Sequence, residues 1–348
     1  MRRIPSLDGF RAISIILVLI AHNRLAVGFP KQYVEIARHG VLGVTIFFVI
    51  SGFLITYLLL TEDAKNGTIS LKRFYINRSL RILPVFMLYM IFIIIWGNFE
   101  STGVARLDIL HVFTFTGNFY MKHAWATAHF WSLSVEEQFY VFWPAMLILF
   151  RKHLKIVLAI LISCSCIIRV VIYKFPAYST ILLSPFFSYS DAIFIGALGG
   201  ILFFEKPAIC EHWIFRSYPA QAVAVCLIPA FVYFSAYGKL GLIALPFGNA
   251  IISASILFLI LSYITPSNPV IFKFLNCRVM VHIGILSYSI YIWQQFFFVG
   301  QLKVFWRIFP YNLLVIYLVS LASYYLWEKP FLNMKNGISA NKLQPVSD

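Results

Sequence analysis

The feature that most limits what this chain can become is a succession of about ten apolar runs, each close to twenty residues long. They cover 8–28, 41–61, 81–98, 134–151, 154–173, 186–204, 217–236, 241–263, 280–301 and 309–329. A helix rises 1.5 Å per residue, so about 20 apolar residues cross a hydrocarbon core of ~30 Å. Hydrophobic residues make up 61% of the 348 and charged residues 12%, roughly half the charged share of a soluble domain. A water-soluble globule of this length could not cover so much apolar surface, so lipid must. The fold expected is all-α: a polytopic integral membrane protein with about ten transmembrane helices. The stretch 107–120 is apolar but too short to span. It holds His111, Thr114, Thr116 and Asn118, and it reads as an interfacial or re-entrant segment.

Lysine and arginine number 28 against 13 acids, an excess that in a soluble chain would point to nucleic acid. Here it has a plainer cause, the retention of basic loops on the cytoplasmic side. With the N-terminus inside, 18 of the 28 bases fall on the inner side. They are Arg2, Arg3, Arg11, Lys65, Lys72, Arg73, Arg78, Arg81, Arg151, Lys152, Lys155, Lys206, Arg216, Lys273, Arg278, Lys329, Lys335 and Lys342. An N-in, C-in arrangement follows, in an inner (plasma) membrane. Met1-Arg2-Arg3 before an apolar run resembles a signal peptide, but Asp8 and Arg11 interrupt the run and no small-x-small site stands near Ala26, so it is expected to stay as the first helix. The division expected is a membrane domain over 1–331 and a short cytoplasmic tail over 332–348. The five cysteines form no C-x-x-C pair and no metal spacing, and read as lipid- or core-facing residues.

Ionisable groups within spans are costly and each asks for a reason. In the first helix Arg11 and His22 are eleven residues apart, three turns plus about 20°, and so share a face about 16 Å apart along the axis. Asp8 lies one turn below Arg11. Taken singly, Arg11 could be snorkelling to the inner headgroups and His22 could be a packing histidine; a shared stripe favours a polar seam. Arg78 and Arg81 are spaced to point the same way, and paired guanidinium forks suit phosphate, although positive-inside anchoring would also account for them. In His129-Phe130-Trp131-Ser132-Leu133-Ser134-Val135-Glu136-Glu137, Ser134 and Glu137 fit a capping box. Glu136 has no such explanation and is expected to orient His22, at similar depth. Asp191 reads as an N-terminal cap. Ser51-Gly52 reads either as close backbone approach to substrate or as tight helix packing.

These residues resemble the membrane acyltransferase-3 family of bacterial O-acyltransferases over nearly the whole length. Leu7-Asp8-Gly9-Phe10-Arg11 followed by His22 is similar to the family's basic-x10-His signature. Gly43 to Ile55, Arg78-x-x-Arg81-Ile82-Leu83-Pro84, Phe130 to Tyr140, Leu286 to Trp293 and Glu328-Lys329-Pro330-Phe331 resemble five further motifs, in order. Ala12, Gln294 and Tyr189 stand where glycine, histidine and arginine are common in the family, and the last two are left out of the catalytic set.

The resemblance implies transfer of an acyl group, usually acetyl, from a cytoplasmic acyl-CoA, acetyl-CoA above all, to a hydroxyl of a surface or lipid-linked carbohydrate such as a lipopolysaccharide. It implies His22 and Glu136 as catalytic residues, His22 the general base or an acyl carrier, and Arg11, Arg78 and Arg81 as the CoA-binding residues. No permanently bound cofactor, metal or nucleic-acid partner is expected. With no esterase-like stretch after the last run, one membrane unit is expected to complete the transfer or hand the group to a partner. A proton-coupled solute transporter is the main rival, since it too would place histidine and carboxylates at membrane depth; it would more often show duplicated halves, and none is evident. A non-catalytic scaffold is the third reading.

Overall fold

The computed structural model describes residues 4–37, 39–120, 122–175, 185–298 and 304–340. Arg2, Arg3, Lys342, the last eight residues of the expected tail and the end of the 280–301 run lie outside them. Each expected run is helical: α1 Leu7–Asn23, α2 Val41–Asn66, α3 Leu71–Trp96, α4 Arg106–Phe113, α5 Phe130–Leu149, α6 Leu154–Lys174, α7 Pro185–Glu205, α8 Tyr218–Ala236, α9 Gly241–Ile264, α10 Pro269–Leu275, α11 Arg278–Trp293, α12 Tyr311–Ala322 and α13 Lys329–Ala340. No β-strand occurs among the described residues.

Six of these helices are long and apolar enough to cross a membrane: α2, α3, α6, α7 (over Ser188–Glu205), α8 and α9; α10 with Arg278–Phe297 forms a seventh if that pair, bent by 47°, is one span. The remaining expected spans are helical but shorter or more polar. α1 has 17 residues, α12 has 12 before passing into a π-helical turn over Ser323–Glu328, and α5 carries Glu136, Glu137 and Gln138. The short α4, eight residues long, cannot span, as its sequence predicts.

Consecutive long helices run antiparallel and so define two faces. On one, Ser6 before α1 bonds Asn276 between α10 and α11 (N to Oδ1 2.9 Å) and the carbonyl of Tyr263 in α9 (Oγ to O 2.6 Å). There too Arg151 pairs with Asp63 at 2.5 Å and Lys155 with Glu205 at 2.6 Å. Arg78 and Arg81, near the start of α3, belong to this basic face. On the far face Asn312, opening α12, donates to Asn23 at the end of α1 at 2.8 Å.

The centre is α2 against α7, where glycine permits backbone contact. A Cβ on Gly52 would run into the carbonyl oxygen of Ile193, and one on Gly196 into that of Val49. Close approach through small residues is how helices associate where lipid removes the hydrophobic drive. Gly9 and Gly284 do the same for α1, meeting the backbones of Leu275 and Asp8. At the periphery α6 and α8 expose Ile156, Ile160, Ile167, Val223 and Val225, an apolar surface that needs lipid to cover it. The five cysteines are unpaired, and only Cys166 and Cys210 are buried.

Candidate active site

Arg11, Arg78, Arg81 and Glu136, from three helices, line one cavity together with Ser51, Tyr140, Ser132, Tyr288 and Tyr291. It leaves about 90 Å³ of free space. Arg11 is held from one turn below, its Nη1 donating to Asp8 Oδ1 at 2.9 Å. Arg78 lies over the ring of Tyr140, 4.9 Å from its centroid, a cation–π contact that fixes the guanidinium without using up its donors. Arg81 projects one turn on in α3, on the same side, and Tyr288 bonds the helix backbone beside it, donating to the carbonyl of Ile82 at 2.7 Å. The three arginines are thus brought together as expected.

Glu136 is also in this cavity, but not against His22. It accepts from Ser51 Oγ at 2.7 Å and from Tyr140 OH at 3.5 Å. The expected Glu136–His22 pairing is therefore replaced, for a geometric reason. α5 begins at Phe130 with His129 before it, not at Ser134, so Glu136 stands six residues, about 9 Å, deeper than a helix-opening position. The capping box fails for the same cause. Ser134 lies inside the helix, its Oγ donating to the carbonyl of Phe130 at 2.9 Å and accepting from Gly117 N at 3.2 Å, and Glu137 Oε1 is buried without a hydrogen bond.

His22 sits in the last turn of α1, at the far face. Its Nδ1 is 2.8 Å from Gln294 Oε1, and its ring meets Trp125 edge-on at 5.6 Å and Phe298 at 6.1 Å. The Gln294 side-chain amide thus holds the ring by its Nδ1 edge and leaves the Nε2 edge to other partners. Gln294, fully buried, takes the place beside the ring that was expected of Glu136. The signal was present: it occupies the position set aside because the family often has histidine there. Trp125 is tied down in turn, donating to Gln295 O at 2.8 Å while Gln295 Nε2 donates to Trp125 O at 2.6 Å.

Between the cavity and His22 lies a polar column. Ser132 Oγ and Tyr291 OH are 2.5 Å apart, and Tyr291 OH donates to the carbonyl of His129 at 2.9 Å. Ser51 and Gly52 divide the two readings of their motif, serine facing the cavity and glycine packing on α7.

Three polar clusters were not foreseen. Asp191 is inside α7 rather than at its start, where it accepts from Arg169 Nη2 at 2.7 Å and Asn249 Nδ2 at 2.5 Å; the arginine in the apolar run 154–173 was the available sign. Arg307 binds Glu100 through both nitrogens at 2.7 Å. In the segment between α3 and α5, His123 donates through Nδ1 to Asp108 Oδ1 at 2.5 Å and through Nε2 to Gly117 O at 2.7 Å, while Asp108 Oδ2 accepts from Ala124 N and Thr127 Oγ1. Burial disfavours the charge on each, yet the hydrogen bonds outweigh it. The His123 imidazole is held above its ordinary pKa and the Asp108 carboxyl below its own.

Residues 4–327 match the family described as an acyltransferase domain, the acyltransferase-3 type. Over a shorter stretch, 44% of this chain and 25% of the relative, the chain is 34% identical to the peptidoglycan O-acetyltransferase OatA of Listeria monocytogenes. It is 30% identical, over 99% of its length and 59% of the relative, to a Staphylococcus aureus (strain COL) protein named provisionally as an O-acetyltransferase. Identity is 26% to YrhL of Bacillus subtilis (strain 168), named provisionally as a peptidoglycan O-acetyltransferase, over 94% of this chain and 55% of that one. The chain thus spans no more than about three-fifths of the length of these relatives. No solved structure matches it.

Proposed function

The chain belongs to the membrane acyltransferase-3 family, and from its geometry we propose that it moves an acetyl group from acetyl-CoA, bound at the basic face, to a hydroxyl of a glycan presented at the far face. The observation that carries this is the meeting of Arg11, Arg78 and Arg81 in one cavity, with an imidazole held by Gln294 further along α1. CoA carries several phosphate charges, and guanidinium forks bind phosphate through charge-assisted bonds. The cavity of about 90 Å³ takes the start of the pantetheine arm, which runs on past Ser132 and Tyr291 toward His22, with the nucleotide outside at the mouth near Arg78 and Arg81. Glu136 and Ser51 act as positioning groups on the cavity wall.

His22 is the general base. Its Nε2 accepts the proton of the acceptor hydroxyl as that oxygen attacks the thioester carbonyl; the C–S bond breaks, and the CoA thiolate takes the proton back. Gln294 orients the ring but is neutral, so it steadies the imidazolium less than a carboxylate would. In an acyl-histidine relay Nε2 attacks the carbonyl first and expels the CoA thiolate; the acceptor hydroxyl then attacks the acyl carbon and displaces the imidazole, its proton passing to the thiolate. The two routes differ in one observable, acetylated His22 in the absence of acceptor. The basic residues assign the arginine-lined face to the cytoplasm. On this reading the chain crosses the inner (plasma) membrane ten times with both ends inside, the helices α1, α5 and α12 completing the set.

The test is acetyl-CoA binding and turnover by the purified protein. Arg78→Ala should weaken binding, in wild type and variant alike more so as salt screens the remaining contacts. A wild-type protein that neither binds nor consumes acetyl-CoA overturns the donor assignment.

A further inference from the structure

A second cavity lies outside the site just described. It opens at the far face among α2, α6, α7, α8 and α9 and has a volume of about 1140 Å³, against about 90 Å³ for the arginine-lined one. None of the residues given a part in the transfer lines it. Arg169 of α6 and Asn249 of α9 both bind Asp191 of α7, and Arg169 Nη1 also donates to Ser188 O at 3.1 Å. Three walls are thereby pinned to one another, and the cavity is a built feature rather than a gap between loose helices. Its sides are apolar, with Leu42, Val232, Leu245 and Ile252. Among the described residues its remaining charge is basic: Lys174 and Lys239 line it beside His39, and no Asp or Glu does. Of the neighbouring carboxylates, Asp191 is bound as described and Glu35 accepts from Tyr237 at 3.0 Å.

We propose that this cleft binds the acceptor in lipid-linked form, a glycan joined through phosphate to a long-chain lipid, with the phosphate at Lys174 and Lys239 and the start of the chain along the apolar walls. This rests on the transferase reading above. The sign of the charge selects an anion, and the walls select one that carries hydrocarbon; a free sugar or inorganic phosphate would gain nothing from the second. These lysines also lie on the face where the positive-inside bias leaves bases unexplained. Position supplies the link to the chemistry. A Cβ on Gly40, next to His39, would strike that of Ala21, the residue before His22, so a headgroup at His39 lies beside the end of α1 that carries the base. On the other side Tyr189 lines the cleft and its ring is 5.7 Å from that of Trp131, which in turn meets Phe48 of the arginine-lined cavity at 6.1 Å. Tyr189, Trp131 and Phe48 thus form a chain of rings from one space to the other.

The test is photolabelling of the purified full chain with a benzophenone-tagged polyprenyl phosphate, set against the neutral polyprenol of the same chain length. Label is expected in peptides covering 169–174 and 232–252, with the phosphate form preferred. The double variant Lys174→Gln, Lys239→Gln should lose labelling roughly tenfold or more, while its acetyl-CoA hydrolysis without acceptor stays at the wild-type rate. Equal labelling by the neutral alcohol, or undiminished labelling of the double variant, overturns the proposal. Abolition of labelling by millimolar inorganic phosphate alone also overturns it, since the site would then take the free anion. Labelling as expected in a protein that consumes no acetyl-CoA upholds the lipid site and refutes the transferase reading, so the two fail separately.

Discussion

Asp108 gathers three donors onto one carboxylate, and replacing it should release the segment that holds Trp125 against His22. In Asp108→Asn the amide oxygen can replace only one carboxylate oxygen. The NH2 then faces a donor, either His123 Nδ1–H or the Ala124 N–H and Thr127 hydroxyl pair. Hydrogen bonds to charged groups contribute about 1.5–3 kcal/mol each, and a buried donor left unpaired costs about 1–3 kcal/mol. Since the terms share one site and do not add, about 3 kcal/mol is the expected local loss. At ~1.4 kcal/mol per decade this is roughly a 150-fold fall in hydrogen-exchange protection across 106–128, if the segment opens as a unit. The wild type should show its own pH dependence. The His123 contribution is complete below the unfolded histidine value, near 6.5, and fades as pH rises through the raised folded value; the Asp108 contribution is complete above about 4 and fades as pH falls through the lowered one. Protection of 106–128 should therefore be greatest between about pH 4 and 6.5. Exchange corrected for its intrinsic pH dependence is the assay. Protection that is unchanged in Asp108→Asn, or that rises in wild type from pH 6.5 to 8.5, refutes the reasoning.

Gly52→Ala should force α2 and α7 apart, costing about 1–3 kcal/mol by overpacking, and appear as a lowered melting temperature in detergent; no change would mean the contact is not tight. Arg169→Met leaves Asp191 buried with Asn249 alone and should cost about 3–5 kcal/mol, with Arg169→Met, Asp191→Leu recovering much of it. Thermal unfolding of the pair checks this, and a double variant as unstable as the single one would contradict it. Ser51→Ala removes the 2.7 Å bond to Glu136 and should lower kcat about tenfold with little effect on acetyl-CoA affinity; a change confined to KM would place Ser51 in donor binding instead.

The helices were legible because lipid imposes length and polarity on them directly, and the arginine cavity because Arg78 and Arg81 are one helical turn apart in a single segment. Depth was less legible. The apolar run opening at Ser134 sets Glu136 level with His22, and a shift of four residues moves a side chain about 6 Å along the axis. Ion pairs such as Arg169–Asp191 join helices distant in sequence, and one chain offers no periodicity that reveals such partners. For Gln294 the family pattern marks the position but not the partner: its place beside His22 rests on where α11 ends beside α1, which is a matter of tertiary packing.

The most direct test of the central claim is a comparison of CoA-thiol release by wild type and His22→Ala in samples where acetyl-CoA binding is measured at the same time. The account predicts that the variant binds acetyl-CoA as wild type does, because His22 does not line the donor cavity, and releases no thiol above background. Turnover persisting in His22→Ala would leave the fold and the family in place and remove His22 from the chemistry.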